Sequence, residues 1–213
     1  LMSNQRPASI PEFKHVKSRE AAKYLNIDSS TGICDACNVA ELKDNKIDWD
    51  IREKELLKLL EKYRSKNSDY DCIVPGSGGK DSIFASHILK YKYGMNPLTV
   101  TWSPHKYTDI GWRNFVNWSH VGGFDNILFT PNGRLHRYLT KKAFENLLHP
   151  FQPFIIGQRI IGPLFASKFK IPLVMYGENQ AEYGNSKKEN DSDEMNSSFF
   201  VDDKIDDLII SGA

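Results

Sequence analysis

Eight consecutive residues, Pro75-Gly76-Ser77-Gly78-Gly79-Lys80-Asp81-Ser82, constrain the fold of this chain more than any other feature. They follow the short apolar run Asp71-Cys72-Ile73-Val74, which reads as a strand. They precede Ser82 to Tyr93, where Phe84, His87, Ile88 and Tyr91 recur at helical spacing on one face before Gly94 supplies a stop. His87 is therefore expected to be packed. A glycine-rich loop between a strand and a helix lets backbone N–H groups converge on an anion without Cβ clashes. The helix start adds the positive end of its dipole. Ser77 and Ser82 can donate hydroxyls to phosphate oxygens, and Lys80 adds charge. The loop is not a Walker A loop, because Val74 stands where the first Gly is needed and Asp81 follows Lys80. Nor is it the dinucleotide fingerprint, since Asp81 fills the last Gly position. A carboxylate beside polyphosphate repels it unless a cation lies between them, so Asp81 implies Mg²⁺. The plainer alternative is a glycine-rich turn without a ligand; the agreement of strand, loop and helix favours the anion site.

The rest of the chain alternates. Helices are expected over 48–64, 109–120, 135–148 and 158–169, the last weakened by Gly162-Pro163, and strands over 98–102, 126–130 and 171–176. Such a series makes a parallel sheet, whose ligands bind beyond the carboxyl ends of the strands. That edge nominates Thr101, Trp102 and Ser103 for nucleotide contact, largely through backbone, with core packing an equal alternative for Trp102. It also nominates Glu178, to hold Mg²⁺ or orient substrate, and Asn179; Glu182 and Tyr183 are weaker candidates for substrate contact. Gln152, Arg159 and Lys168 are weighed as site-facing against ordinary surface charge. Residues 184–194 carry no apolar residue and read as a solvated loop or lid.

Composition narrows the class. Among 213 residues, 28 Lys and Arg stand against 27 Asp and Glu, a net charge of +1, which argues against a general nucleic-acid binder. No run approaches the roughly 20 apolar residues of a membrane helix, and no secretory signal opens the chain, so a cytoplasmic protein is expected. Three cysteines make no disulfide framework. Cys34 and Cys37 have the spacing of half a structural zinc site, which His15 or an upstream pair would complete; the alternative is two unconnected loop thiols. Cys72, on a strand expected to be buried, reads as a small hydrophobe rather than a nucleophile. His105, His120, His136 and His149 show no metal spacing. The expected domains are an irregular N-terminal segment, 1–47, and an ATP-binding domain, 48–213.

Ser77-Gly78-Gly79-Lys80-Asp81-Ser82 resembles the SGGxDS signature of the PP-loop ATP pyrophosphatase superfamily. Further blocks resemble the N-acetyl sugar amidotransferases of surface-polysaccharide biosynthesis: Lys46-Ile47-Asp48-Trp49-Asp50, Tyr70 to Pro75, Asn96 to Trp102, Phe129-Thr130-Pro131-Asn132-Gly133, Pro150 to Phe154, and Ile171 to Asn179. The resemblance covers most of the chain from Gly32 to Tyr183. It implies a parallel doubly wound sheet of the PP-loop (adenine nucleotide alpha hydrolase-like) type, preceded by a small cysteine-bearing segment. It implies ATP and Mg²⁺ as cofactors, and AMP-forming amidation of an acetamido group on a nucleotide-linked sugar in lipopolysaccharide or O-antigen synthesis. Ammonia then comes from a glutaminase subunit. Lys80, Asp81 and Glu178 become the catalytic residues, and Asn179, Glu182 and Tyr183 the substrate contacts. The family carries a Cys-x-x-Cys just before a segment like Leu1 to Pro7 and continues past residues like 200–213, so the expectation is a partial copy of a longer enzyme. Two rival readings are a PP-loop tRNA thiolation enzyme, which would want a basic face and a reactive cysteine at the site, and an ATP-binding module without turnover.

Overall fold

The structure, a computed structural model, describes residues 27–67 and 69–178. The described residues up to Glu53 belong to one unit and Lys54–Glu178 form another. In the first, Asp28 organises a tight turn. Its carboxylate accepts hydrogen bonds from the Ser30 amide and hydroxyl, and its backbone N–H donates to the Ile33 carbonyl. An antiparallel bridge pairs Ile27 with Cys34, and helix α1 (Asp35–Asn45) follows. The irregular character expected for 1–47 is corrected here: Ala36, Ala40, Glu41, Leu42 and Lys43 are good helix formers, and no Gly or Pro interrupts them. Helix α2 (Trp49–Tyr63) comes next, and its Leu60 is completely buried.

In Lys54–Glu178 three strands, β1 (Cys72–Pro75), β2 (Pro97–Trp102) and β3 (Asn126–Phe129), form a parallel sheet in the order β1-β2-β3. Residues 171–176, expected as a strand, make one parallel bridge from Val174 to Ile73 on the free side of β1. The Ile73 N–H donates to the Leu173 carbonyl, and the Met175 N–H to the Ile73 carbonyl, both at 2.8 Å. The chain thus runs outward from β1 to β3 and returns to the other side of β1, so the order reverses beside β1.

The helices follow that reversal. Helix α3 (Lys80–His87), extended by a π-helical turn (Ile88–Lys92), and α4 (Asp109–His120) join a cluster containing Cys72, Val74, Leu89, Phe115 and Trp118. Helix α6 (Gln152–Phe169) joins the opposite cluster of Ile73, Leu98, Val100, Ile161 and Ile171. Alternate residues of β1 serve opposite faces, as a sheet covered on both sides requires. Helix α5 (Gly133–Leu147) lies between β3 and α6 in sequence.

Two expectations need correcting. The face of α3 expected to pack is mostly exposed: Phe84 is 67% exposed, His87 and Tyr91 are exposed with tilted rings 4.8 Å apart, and Ile88 is half-buried. Ser82, Ser86 and Leu89 are buried instead. The reason is polar. The Ser86 hydroxyl returns its proton to the helix, at the Ser82 and Ile83 carbonyls, and accepts from the Trp118 indole at 2.8 Å. Small residues let the bulky Trp118 approach. Helix α6 begins at Gln152, six residues before the expected start, with Pro153 in its first turn where a missing N–H costs nothing. It also runs through Pro163. The Arg159 carbonyl, which would have accepted from residue 163, accepts the Tyr176 hydroxyl at 3.0 Å. That bond ties α6 to the end of the 171–176 segment.

Candidate functional site

The loop after β1 is shaped by close backbone approach. Gly78 has φ +79, in the left-handed region, and a Cβ there would lie 2.8 Å from the Phe115 Cα. The loop therefore rests on α4 with no room for a side chain. A Cβ on Gly177 would overlap the Asp81 carbonyl and lie 2.8 Å from the Ser82 amide nitrogen. The returning chain thus meets the first turn of α3 backbone to backbone. Loop, helix start and residues 177–178 gather where the strand order reverses, the position at which open parallel sheets take ligands.

The start of α3 differs from those of α4 and α5 and, like those of α1 and α6, carries no capping side-chain bond. Thr108 caps α4 by accepting from the Gly111 amide, and Asn132 caps α5 by accepting from the Arg134 and Leu135 amides. Gly79 caps α3 with no side chain at all. Its first-turn amides are thus left for another acceptor, which is the arrangement that binds anions. Lys80 is almost fully exposed. Its Nζ lies 3.8 Å from Asp81 Oδ1, and such an open ion pair adds little stability. The Ser77 side chain is exposed, whereas Ser82 is buried with its hydroxyl donating to the Gly79 carbonyl at 3.1 Å. An exposed lysine, a half-exposed carboxylate and first-turn amides with no capping side chain fit a magnesium-bound triphosphate.

Glu178 is exposed and directly follows Gly177. Asn179, Glu182, Tyr183, His15 and the 184–194 loop lie outside the described residues. At the end of β2, Thr101 is completely buried and its hydroxyl accepts from the Asn126 amide at 3.1 Å, so its side chain braces the strand. Trp102 packs its indole on Gly157, where a Cβ would overlap the ring, with Phe129 5.0 Å away. Its Nε1 is buried and without a partner among the described residues. The Ser103 amide donates to the Phe129 carbonyl, and Ser103 opens onto a cleft of about 720 Å³.

That cleft was not legible in the sequence. It lies beyond β2 and β3, against α5. Gln152 is 2% exposed, with neither side-chain amide atom paired among the described residues. Its burial shows that it is no surface residue, while Lys168 is exposed. The six α5 residues facing the cleft, Gly133, His136, Arg137, Thr140, Lys141 and Phe144, recur at helical spacing. That pattern was available in the sequence, but nothing there says which face of α5 would meet the strand ends.

Cys72 is fully buried, and burial together with Asp71 pushes its thiol well above the usual range, which removes it as a nucleophile. The Cys34 and Cys37 sulfurs lie 3.5 Å apart without a disulfide between them. Two Zn–S bonds of about 2.3 Å at a tetrahedral angle separate their sulfurs by about 3.8 Å, so the pair suits half a zinc site. Among the described residues no group of three His, Cys, Asp or Glu is placed to hold a metal. Among them also, no helix is long and apolar enough to cross a membrane.

No protein-family model matches the chain. An uncharacterized protein of Methanocaldococcus jannaschii is 29% identical over 85 residues, a match spanning 40% of this chain and 30% of that protein. The structure establishes an α/β architecture with a three-stranded parallel sheet flanked by helices.

Proposed function

We propose that this chain is the ATP-using part of an N-acetyl sugar amidotransferase with a PP-loop fold, cytoplasmic and working on a nucleotide-linked sugar for a surface glycan. One observation carries the reading: an uncapped helix start beneath a glycine loop, at the point where the sheet order reverses. Backbone amides of Gly78 and Gly79, the Lys80 ammonium and the Ser77 hydroxyl bind the phosphates. Asp81 would hold the magnesium, which supplies charge neutralisation on the departing pyrophosphate. Trp102 and Ser103 border the nucleoside. Ser82, turned back onto Gly79, keeps the loop closed. Glu178 orients the acceptor, with Asn179, Glu182 and Tyr183 as its further contacts.

The acetamido oxygen attacks the α-phosphorus in line, and the bond to the bridging oxygen breaks to release pyrophosphate. Ammonia from a glutaminase partner adds to the activated carbon. The C–O bond to AMP then breaks, a proton is lost, and an acetamidino group remains. Activation is needed because an amide oxygen leaves poorly, and no covalent nucleophile is required, consistent with the inert Cys72. Cys34 and Cys37 would hold one side of a structural zinc ion, with ligands outside the described residues.

The test is mass spectrometry of products from the full-length protein with ATP, Mg²⁺, ammonium and acetamido-sugar nucleotides. The sugar becomes lighter by about one mass unit, O replaced by NH, with one AMP per sugar. Lys80→Ala lowers kcat by about 10²–10³-fold. Formation of ADP, or AMP without a changed sugar, overturns the reading.

A further inference from the structure

The cleft beyond β2 and β3 is built differently from the phosphate loop, and its lining has a consistent chemistry. Its volume of about 720 Å³ lies in the range of small-molecule sites, roughly 300–1,000 Å³. Arg137 and Lys141 stand one turn apart on the α5 face that forms one wall, and Gly133 at the positive end of that helix borders the same space. Lys141 also reaches Glu145 at 3.6 Å, an exposed pair that an incoming anion can displace at little cost. Among the described residues no carboxylate lines the cleft. Pro104, Pro131, Phe144 and Pro150 give it an apolar side, and Ser103, Thr130 and Thr140 add hydroxyls.

At its inner wall sits His136, 8% exposed, with Nε2 buried and unpartnered among the described residues. Its ring meets that of His105, also in the lining, at 4.6 Å. A buried ring nitrogen without a partner is unfavourable. A cleft that carries two cations and, among the described residues, no acid is complementary to a ligand bringing negative charge and hydrogen-bonding oxygens.

We infer that this cleft is a second anion subsite, which takes the diphosphate and the planar ring of the nucleotide-linked acceptor. Arg137 and Lys141 face the phosphates, and the His136 ring borders them on the inner wall. The inference rests on the proposed function for the acceptor's identity, but it can fail separately from that proposal.

Calorimetry on the full-length protein uses three probes: UDP, uridine, and α,β-methylene-ATP with Mg²⁺. UDP binds and uridine binds more weakly. The double variant Arg137→Ala, Lys141→Ala weakens UDP by about 10-fold or more and leaves the ATP analogue unchanged. Lys80→Ala does the reverse. The ¹⁵N signals of the His136 imidazole shift with UDP in the unaltered protein, a readout independent of the folding of any variant. The inference is overturned if UDP does not bind, if the double variant binds it equally well, or if the His136 signals do not move. It is also overturned if the double variant weakens the ATP analogue alike, which would give the cleft to the triphosphate. UDP binding without binding of the ATP analogue leaves the cleft standing and overturns the phosphate loop.

Discussion

The two ends of the sheet's carboxyl edge are made by opposite means. Beside β1 the surface is backbone: Gly78 lies on Phe115, Gly177 lies on Asp81, and α3 starts without a capping side chain. Beyond β2 and β3 the surface is side chain: α5 has its cap, and the cleft takes its character from His136, Arg137, Lys141 and their neighbours. A backbone site tolerates no side chain at its contact points, so it writes glycines into the sequence at fixed spacing. A side-chain site can be assembled from any residues that tertiary packing brings together. The first is therefore rigid and legible, and the second is adjustable and silent.

Substitutions can break this contrast, and the largest effect belongs to the backbone end. Gly78→Val forces a branched Cβ against α4 at a left-handed φ and is expected to cost about 3–4 kcal/mol in urea unfolding. A loss below about 1 kcal/mol would show that the loop does not rest on Phe115. Tyr176→Phe removes the hydroxyl that donates to the Arg159 carbonyl opposite Pro163 and should cost about 1 kcal/mol. Burial raises the Tyr176 hydroxyl to about 12. Its contribution is present below the unfolded value near 10 and is lost as pH rises through about 12. Stability followed from pH 9 to 12 should fall less in the Phe variant.

At the cleft end the sign reverses. Gln152→Leu removes an unpaired buried amide, and its unfolding free energy is expected to rise by about 1 kcal/mol. A loss instead would show that the amide is paired. Burial, and secondarily the charge of His105, depress the His136 imidazole. A depressed histidine contributes stability above its unfolded value near 6.5 and loses it as pH falls through the folded value. Unfolding from pH 7 to pH 5 should therefore show a loss that His136→Phe flattens. The smallest effect is that of Lys80→Ala on stability, expected within about 0.5 kcal/mol because the side chain is open to solvent. A larger loss would mean that Lys80 holds the fold rather than a ligand.

The elements that announced themselves did so through local physics. The apolar run of β1, the β-branched and aromatic run of β2, and the amphipathic α4 follow from period and propensity alone, and α4 occurs over the expected residues. The α3 face was misread because its apolar residues point to solvent while Ser86 is buried by its bond to Trp118, a partner 32 residues away. The start of α6 was hidden by Pro150 and Pro153, which signal a break unless the second falls in a first turn. The segment 171–176 reads as a strand, and among the described residues only its Val174 makes a bridge, to Ile73 of β1.

The sequence by itself determined that a glycine loop joins a strand to a helix and that Asp81 accompanies it, because steric freedom and charge belong to the residues that carry them. Tertiary structure decided where that loop sits relative to the returning chain, which face of each helix is covered, and that one face of α5 lines a cleft with a buried imidazole. Those outcomes depend on contacts between residues far apart in the chain, and local pattern carries no information about which distant surface will arrive.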